Sequence, residues 1–249
     1  MITNTLIQRI EETSMRALPA LTTRSYDGWI LRFANGYTRR ANSISPIYAS
    51  GMDLDEKLHH CHAVYHQAGL PLIFKMTRAP HPDDLDNQLE ERHFDRSTAT
   101  AVKTLDLQPY SPVETPNVTV DQRFTVQWFD AYAAHNKLTP NHQHILNHIL
   151  RVIVPQTGYA MLTQNGKIVA VGLGVIDNGL LGIFDIVVAE SQRGNGHGRE
   201  IVESLLAWGK SNSAQTAYLQ VMQNNTPALK LYEKLGFEEV YEYWYRSKS

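Results

Sequence analysis

The chain has 249 residues, a formal net charge of −2 and a hydrophobic content of 43%. This near-neutral balance does not favour nucleic acid or an anionic membrane surface as a partner. Cys61 is the only cysteine, which excludes an intramolecular disulfide and suits a reducing compartment. Acidic residues lie within the N-terminal amphipathic pattern, unlike a signal peptide, and no apolar run reaches the ~18–20 residues of a membrane span. We therefore expect a cytoplasmic protein.

The first hundred residues predict a mixture of helices and strands. Asn35-Gly36 is a strong hairpin dipeptide, so it predicts a turn between strands over 28–34 and 36–47. Asp53 begins a helix that runs to about Gln67. The other predicted elements are helices over 6–15 and from Pro82 to near Phe94, and strands over 72–76 and 99–106.

A second set of elements follows the proline-bearing segment from Pro109 to Pro116, which is the best linker in the chain. Turns at Asn165-Gly166 and Asn178-Gly179 predict an antiparallel meander of three strands. The predicted elements, in order, are helices over 121–135 and 140–151, strands over 158–163, 167–176 and 180–188, a helix over 198–210, a strand over 217–222, a helix over 226–235 and a strand over 239–245.

A glycine-dense turn joins the strand over 180–188 to the helix over 198–210. Its sequence is Arg193-Gly194-Asn195-Gly196-His197-Gly198. The glycines let the backbone approach a phosphate, the helix N-terminus directs its amides toward that phosphate, and Arg193 and Arg199 add charge. A P-loop needs Lys-Ser/Thr after its glycines, and a Rossmann fingerprint needs a carboxylate at the end of the next strand. The sequence has neither, so the turn predicts another kind of phosphate site.

A second motif runs from Asn225 to Phe237. The glycine turn resembles the Arg/Gln-x-x-Gly-x-Gly/Ala pyrophosphate loop of the GNAT superfamily of acyl-CoA-dependent N-acetyltransferases. The second segment is similar to that superfamily's Asn-x-x-Ala-x-x-x-Tyr-x-Lys-x-Gly-Phe motif, with matches at Asn225, Ala228, Tyr232, Lys234, Gly236 and Phe237. The resemblance spans residues 120–246. It implies an α/β (α+β) fold with a mixed, mostly antiparallel sheet flanked by helices.

The same resemblance implies acetyl-CoA as co-substrate and assigns roles to individual residues. Tyr232 would donate a proton to the leaving thiolate. Asn225 would bond the pantetheine arm, although it is equally suited to cap the helix over 226–235. Main-chain contacts to the pantetheine and contacts to the pyrophosphate are implied for Ile186, Val187, Val188, Arg193, Gly194, Asn195, Gly196, His197 and Gly198.

The general base has two candidates. Asp185 interrupts an apolar strand, where a carboxylate would be partly buried, and members of the superfamily often use a carboxylate on this strand. A purely structural role for Asp185, as a hydrogen-bond partner of a neighbouring strand or loop, is an equal alternative. Glu190 is the weaker candidate, because a loop glutamate is usually solvated.

The two halves of the chain follow a similar plan of strand, proline-bearing loop, helix and strand. In the first half, Leu89 stands where the second has Tyr232, and only Gly51 stands where the second has three glycines. This resembles a tandem GNAT arrangement. It predicts a degenerate GNAT-like N-terminal domain over 1–112, an acetyl-CoA-binding GNAT domain over 113–249, and one cofactor site per chain.

Two histidine pairs have the i, i+4 spacing that can share a metal: His62 with His66, and His144 with His148. No His-Glu-x-x-His or Cys-x-x-Cys pattern accompanies them, so we predict no metal site. Arg39-Arg40 is a candidate for holding an acidic substrate group.

Taken together, these residues predict an N-acetyltransferase that moves an acetyl group from acetyl-CoA to a primary amine. Direct attack in a ternary complex is expected, since no Cys or Ser stands in a nucleophile motif. The acceptor, a small molecule or a protein amine, is not identified by the sequence. The alternative function is a non-catalytic acyl-CoA-binding sensor or docking module.

Overall fold

The structure is a computed structural model that describes residues 4–248, and it divides into two compact units. The first, here called the N-terminal unit, comprises Met1–Val102, Met222–Thr226 and Glu239–Ser249. The second, the C-terminal unit, comprises Lys103–Val221 and Pro227–Glu238. These bounds differ from the predicted domains over 1–112 and 113–249, because the last strand of the chain pairs within the N-terminal unit. The functional division between the two domains stays a prediction.

The N-terminal unit contains a mixed sheet and helices α1 to α3. Their bounds are α1 Asn4–Ala17, β1 Thr22–Tyr26, β2 Trp29–Phe33, β3 Ile44–Ser45, α2 Leu54–Gln67, β4 Ile73–Met76, α3 Leu85–Glu91, β5 Asp95–Arg96, β6 Thr100–Asp106, which continues into the C-terminal unit, and β12 Glu238–Ser247. The pairs β1/β2, β2/β3, β4/β12 and β12/β5 are antiparallel, and β3/β4 is parallel.

The hairpin predicted at Asn35-Gly36 is wrong. The hairpin turn lies instead at Asp27-Gly28, where Tyr26 pairs with Trp29, and the preceding strand β1 was not predicted. Asn35 and Gly36 do have positive φ, but the chain then enters a short 3₁₀ helix, Arg39–Ala41. The Asn42 side chain fixes this bend by accepting hydrogen bonds from the backbone N–H groups of Ala34 and Gly36, at 2.7 and 3.0 Å.

The loop before α2 is organised around one carboxylate, that of Asp27. It accepts hydrogen bonds from the Ser50 hydroxyl at 2.7 Å, the Gly51 amide at 3.1 Å and the Met52 amide at 3.0 Å. The ammonium of Lys57, whose side chain is 1% exposed, lies 3.0 Å from the same carboxylate. These hydrogen bonds, led by that from the Met52 amide, hold the pKa of Asp27 well below its ordinary range.

One cluster of the core of the N-terminal unit lies on one face of its sheet. Alternate strand residues point to that face, where they meet apolar residues of α2 and α3. The cluster consists mainly of Trp29, Leu31, Ile44, Cys61, Tyr65, Phe74, Met76, Leu85, Leu89 and Trp244.

The C-terminal unit contains a second mixed, mostly antiparallel sheet. Its elements are β7 Val118–Asp121, α4 Val126–His135, α5 Pro140–Arg151, β8 Gln156–Gln164, β9 Lys167–Asp177, β10 Leu180–Val188, α6 His197–Ser211, β11 Thr216–Met222 and α7 Thr226–Lys234. Strands β8 to β10 form the predicted antiparallel meander with turns at the two Asn-Gly dipeptides, β7 pairs antiparallel with β8, and β11 adds in parallel to β10. Helices α4 and α6 both pack against β9.

The helix predicted over 121–135 begins later than expected. Val118–Asp121 pairs with β8 as strand β7, and α4 starts at Val126. Thr125 is its N-cap, and its hydroxyl accepts a hydrogen bond from the Trp128 backbone N–H at 3.2 Å. This cap, and not the earlier polar residues, sets the start of the helix.

Candidate active site

The glycine turn forms an open loop at the N-terminus of α6. Gly194 and Gly196 have φ values of +83° and +86°, which side-chain-bearing residues rarely adopt. A Cβ at either position would meet no described heavy atom within 4 Å, so these two glycines are needed for backbone conformation and not for packing. A Cβ on Gly198 would lie 3.7 Å from Val188 and from Leu231. The space beside Gly194 and Gly196 is therefore open, so the loop has room for a phosphate at the helix N-terminus.

The two arginines at this loop differ in their partners. Arg193 is exposed, and its Nε donates only a long 3.4 Å hydrogen bond to the Val188 carbonyl. Arg199 pairs with Glu203 one turn along α6, at 2.8 Å. Because Glu203 neutralises Arg199, the cation best placed to meet a bound phosphate is Arg193.

His197, the first residue of α6, is only 5% exposed. Its Nδ1 lies 3.0 Å from a carboxylate oxygen of Glu200, and its Nε2 is buried with no hydrogen-bond partner in residues 4–248. The ring is thus part of the wall beneath the loop.

Strand β10 separates from β11 just before the loop. The parallel ladder between them ends at Ile183 and Leu219. On its other side, the antiparallel register with β9 shifts between Phe184 and Val187, as expected for a β-bulge with one extra residue. The segment that carries Ile186, Val187 and Val188 follows this bulge. The ladder between β10 and β11 does not continue along this segment.

Asp185 lies in the bulge and has a left-handed backbone, with φ of +54°. Its carboxylate accepts a hydrogen bond from the Tyr132 hydroxyl at 3.2 Å. Sequence reasoning did not identify Tyr132, because an aromatic residue on an amphipathic helix is usually a core residue. The Tyr132 ring is indeed buried, and it stacks on Trp128 with centroids 5.2 Å apart and planes 6° apart.

Tyr232 lies on α7 and is 9% exposed. Burial raises the pKa of its phenol to about 12, so the hydroxyl stays protonated at neutral pH. Its ring packs edge-on against Phe237, and the hydroxyl has no hydrogen-bond partner within the described chain. A protonated phenol with an unused donor can serve as an acid.

The comparison with known proteins now identifies the family. A family model described as "Probable histone acetyltransferase Rv0428c C-terminal" matches residues 4–246. The chain belongs to this family and to the GNAT superfamily of N-acetyltransferases. Acyl transfer is therefore the general activity of its relatives.

One GNAT relative and two solved structures illustrate the match. "Uncharacterized N-acetyltransferase YobR" of Bacillus subtilis (strain 168) is 29% identical over 253 residues, which cover 97% of this chain and 98% of YobR. A GCN5-related N-acetyltransferase from Kribbella flavida has a TM-score of 0.71 at 13% identity, with 97% and 95% coverage. A tandem GNAT protein from the clavulanic acid biosynthesis pathway has a TM-score of 0.60 at 13% identity, with 78% and 69% coverage. The predicted fold class, including the tandem arrangement, is confirmed.

Two further candidates from the GNAT motifs, Asn195 and Asn225, are exposed. Asn195 lies on the exposed loop, and its side-chain amide donates to Gln192 at 3.4 Å. Asn225 is exposed just before α7, and its backbone N–H donates to the Met222 carbonyl at 2.9 Å. The two roles considered for Asn225, pantetheine contact and helix cap, both stay predictions.

Glu190 is poorly suited to act as a base. Its carboxylate lies 2.9 Å from the Lys137 ammonium, and both side chains are largely exposed. The hydrogen bond from Lys137 lowers the pKa of Glu190, which makes the carboxylate a weaker proton acceptor. Asp185 is the better candidate on geometry.

The other sequence candidates lie in different settings. Arg39 and Arg40 belong to the 3₁₀ helix of the N-terminal unit, so the strand expected there is wrong. The His62/His66 and His144/His148 ring centroids are 6.1 and 4.5 Å apart. Between residues 4 and 248, no group of three or more His, Cys, Asp or Glu side chains is arranged to hold a metal, and no helix is long and apolar enough to cross a membrane.

Proposed function

We propose that this GNAT protein is an acetyl-CoA-dependent N-acetyltransferase that acetylates a primary amine in a ternary complex. The observation that carries the proposal is the combination, within the C-terminal unit, of a strand that leaves its neighbour at a bulge and an open glycine loop at a helix N-terminus. An added strand-like pantetheine suits the first feature and a pyrophosphate suits the second.

The residues proposed to hold the coenzyme are those that the GNAT resemblance implies. The amides of Gly194, Gly196 and Gly198, with the Arg193 guanidinium, would bind the pyrophosphate. The backbone of Ile186, Val187 and Val188 would bind the pantetheine, together with Asn225. Bound acetyl-CoA supplies a thioester whose carbonyl carbon an amine attacks, forming the C–N bond of an amide while the C–S bond breaks.

Two side chains would transfer protons during the reaction. Asp185 would accept the proton that the amine nitrogen loses as it forms the C–N bond, either directly or through a water molecule. Tyr232 would donate its hydroxyl proton toward the departing sulfur, whose thiolate has an ordinary pKa of about 8.5. Solvent then returns Asp185 to its ionised form and Tyr232 to its protonated form.

The test begins with the wild-type chain and a panel of amines. Release of free thiol from acetyl-CoA is measured with peptides bearing free N-termini, lysine peptides, amino acids, polyamines and aminoglycosides, and without amine. We expect at least one amine to stimulate release. If acetyl-CoA binds in calorimetry but no amine in any class stimulates release, the non-catalytic binding function is correct instead.

The Tyr232→Phe variant then tests the assigned acid. Because only the hydroxyl is lost, we expect kcat to fall by about 10- to 100-fold while the Kd for acetyl-CoA changes less than about threefold. Phe237→Leu, which alters the ring packed against Tyr232 but no hydroxyl, is the control. An unchanged kcat in Tyr232→Phe would remove Tyr232 from the chemistry without affecting the assignment as an acetyltransferase.

A further inference from the structure

Helix α4 contacts both strands of the bulge through two aromatic residues one turn apart. The Trp128 indole N–H donates to the backbone carbonyl of Gly172 at 3.0 Å. Gly172 is the residue of β9 that faces the bulge, since its neighbours pair with Phe184 and Val187 on either side. The Tyr132 hydroxyl donates to Asp185 within the bulge itself. Two side chains of α4 therefore donate hydrogen bonds to β9 and β10 at the β-bulge between these strands.

The packing around this point leaves little freedom. Trp128 is fully buried, Tyr132 is 8% exposed, and their rings are nearly parallel. A Cβ on Gly172 would come within 2.5 Å of Ile201 and 2.6 Å of Ile186. Ile201 is fully buried, so a side chain opposite the bulge would force the surrounding side chains to move. Asp185 has a strained left-handed φ, and such strain persists only where the surroundings determine the conformation.

We propose that Tyr132 is a positioning residue that orients the Asp185 carboxylate for proton transfer; this rests on the proposed function of Asp185 as base. The Tyr132 hydroxyl donates to Oδ1 and keeps its own proton. The amine N–H bond breaks and its proton passes to the carboxylate, so no proton comes from or goes to Tyr132. A hydrogen bond to an ionised carboxylate both fixes its orientation and favours the ionised, proton-accepting form.

The stacked ring and the hydroxyl of Tyr132 have separable effects. Tyr132→Phe removes the hydroxyl and keeps the ring on Trp128. We expect kcat to fall by about tenfold, with the KM for acetyl-CoA and the melting temperature close to wild type. Tyr159→Phe is the comparison variant, because Tyr159 is 1% exposed, packs edge-on to the same Trp128, and interacts with Asp185 through its charge without a hydrogen bond between them. We expect its kcat to fall less than that of Tyr132→Phe.

A double-mutant cycle with Asp185→Asn tests whether Tyr132 acts through Asp185. We expect Tyr132→Phe to have no further effect on kcat in the Asp185→Asn background, because the base is already lost. An equal tenfold loss in that background would show that Tyr132 acts independently and would overturn the proposal, as would equal losses in Tyr132→Phe and Tyr159→Phe.

The failure of this proposal and that of the proposed function are distinguishable. If Asp185→Asn keeps wild-type kcat, the positioning role of Tyr132 falls with the base assignment, while amine-stimulated thiol release still supports acetyl transfer. If Asp185→Asn has only the uncatalysed rate, the comparison of kcat between Tyr132→Phe and Tyr159→Phe tests whether Tyr132 positions Asp185.

Discussion

The loops that precede α2 and α6 solve the same problem in different ways. Each leads into a helix whose first amides have no partner inside the helix. Helix α2 has a side-chain N-cap, Asp53, which accepts hydrogen bonds from the Asp55 and Glu56 amides. Helix α6 has Gly196 as its N-cap and therefore no side-chain cap. In the N-terminal unit, the loop closes around the chain's own carboxylate, Asp27, with help from Ser50 and Lys57. In the C-terminal unit, Gly194 and Gly196 leave the corresponding loop open.

This difference gives a physical reason why the loop before α2 needs no bound phosphate. An internal carboxylate supplies the negative charge that a phosphate supplies elsewhere, so the loop before α2 is complete without a ligand. The open loop before α6 is left to bind one. The expectation of a single cofactor site per chain, first suggested by Gly51 standing alone, thereby acquires a physical reason, and it stays a prediction until binding is measured.

The largest effect is expected from closing the open loop. Gly196→Val should raise the Kd for acetyl-CoA by about 100-fold, because a β-branched residue does not tolerate a φ of +86° and the amides would turn away from the phosphate. Gly166→Val is the control, since Gly166 also has a positive φ and open space around its Cβ position. Calorimetric titration of both variants measures the contrast. Equal affinities would show that the loop does not bind the coenzyme.

A smaller effect, on stability, is expected from the closed loop. Asp27→Asn should lower the melting temperature by about 5 °C, because it leaves the Lys57 ammonium without a carboxylate. Asp55→Asn is the control, because Asp55 pairs with Arg92 in a largely exposed position and should change little. Acetyl-CoA binding should be unaffected by either variant. A large loss of affinity in Asp27→Asn would mean that the loop before α2 takes part in coenzyme binding.

The same pair of variants has a predicted pH dependence. The folded-state pKa of Asp27 lies below its ordinary value of 3.8, so its contribution to stability is present above that value and is lost as the pH falls below it. The wild-type melting temperature should therefore fall more steeply than that of Asp27→Asn as the pH falls from about 4 to about 2.

The smallest effect is expected from the charge at the open loop. Arg193→Gln should raise the Kd for acetyl-CoA by about three- to fivefold at low salt, and less at high salt, because the side chain is exposed and its charge is screened. Arg199→Gln should change the Kd less than about twofold, since Glu203 already neutralises Arg199. Reversed effects of the two variants would contradict the assignment of Arg193 as the phosphate-binding cation.

Much of this molecule follows from local patterns. The Asn-Gly turns of the meander, the helix that Asp53 caps and the glycine loop all depend on neighbours in sequence, and the structure has each at its predicted place. Asn35-Gly36 failed because the same dipeptide also suits a non-hairpin bend, and the Asn42 side chain selects that bend. Strand β7 was missed because the start of α4 depends on the cap at Thr125.

The two most informative polar contacts were beyond local reasoning. Asp27 lies 30 residues before Lys57, and Tyr132 lies 53 residues before Asp185. No sequence spacing identifies such pairs, because only the packing of helices α2 and α4 in the folded chain brings these residues together. Tyr132 also falls at an apolar position of the helix pattern. That pattern predicts a core residue and gives no indication of a role for its hydroxyl.

The path of the chain has a consequence for how the protein is made. Strand β12 pairs with β4, and its Arg246 binds Asp86 through two hydrogen bonds of 2.9 Å. During synthesis, the N-terminal unit therefore has an open strand edge at β4 until β12 has been made. A fragment ending at residue 112 would keep that edge exposed and leave Asp86 without Arg246. Because β12 follows the C-terminal unit in the sequence, the N-terminal unit can be completed only after the C-terminal unit has been synthesised.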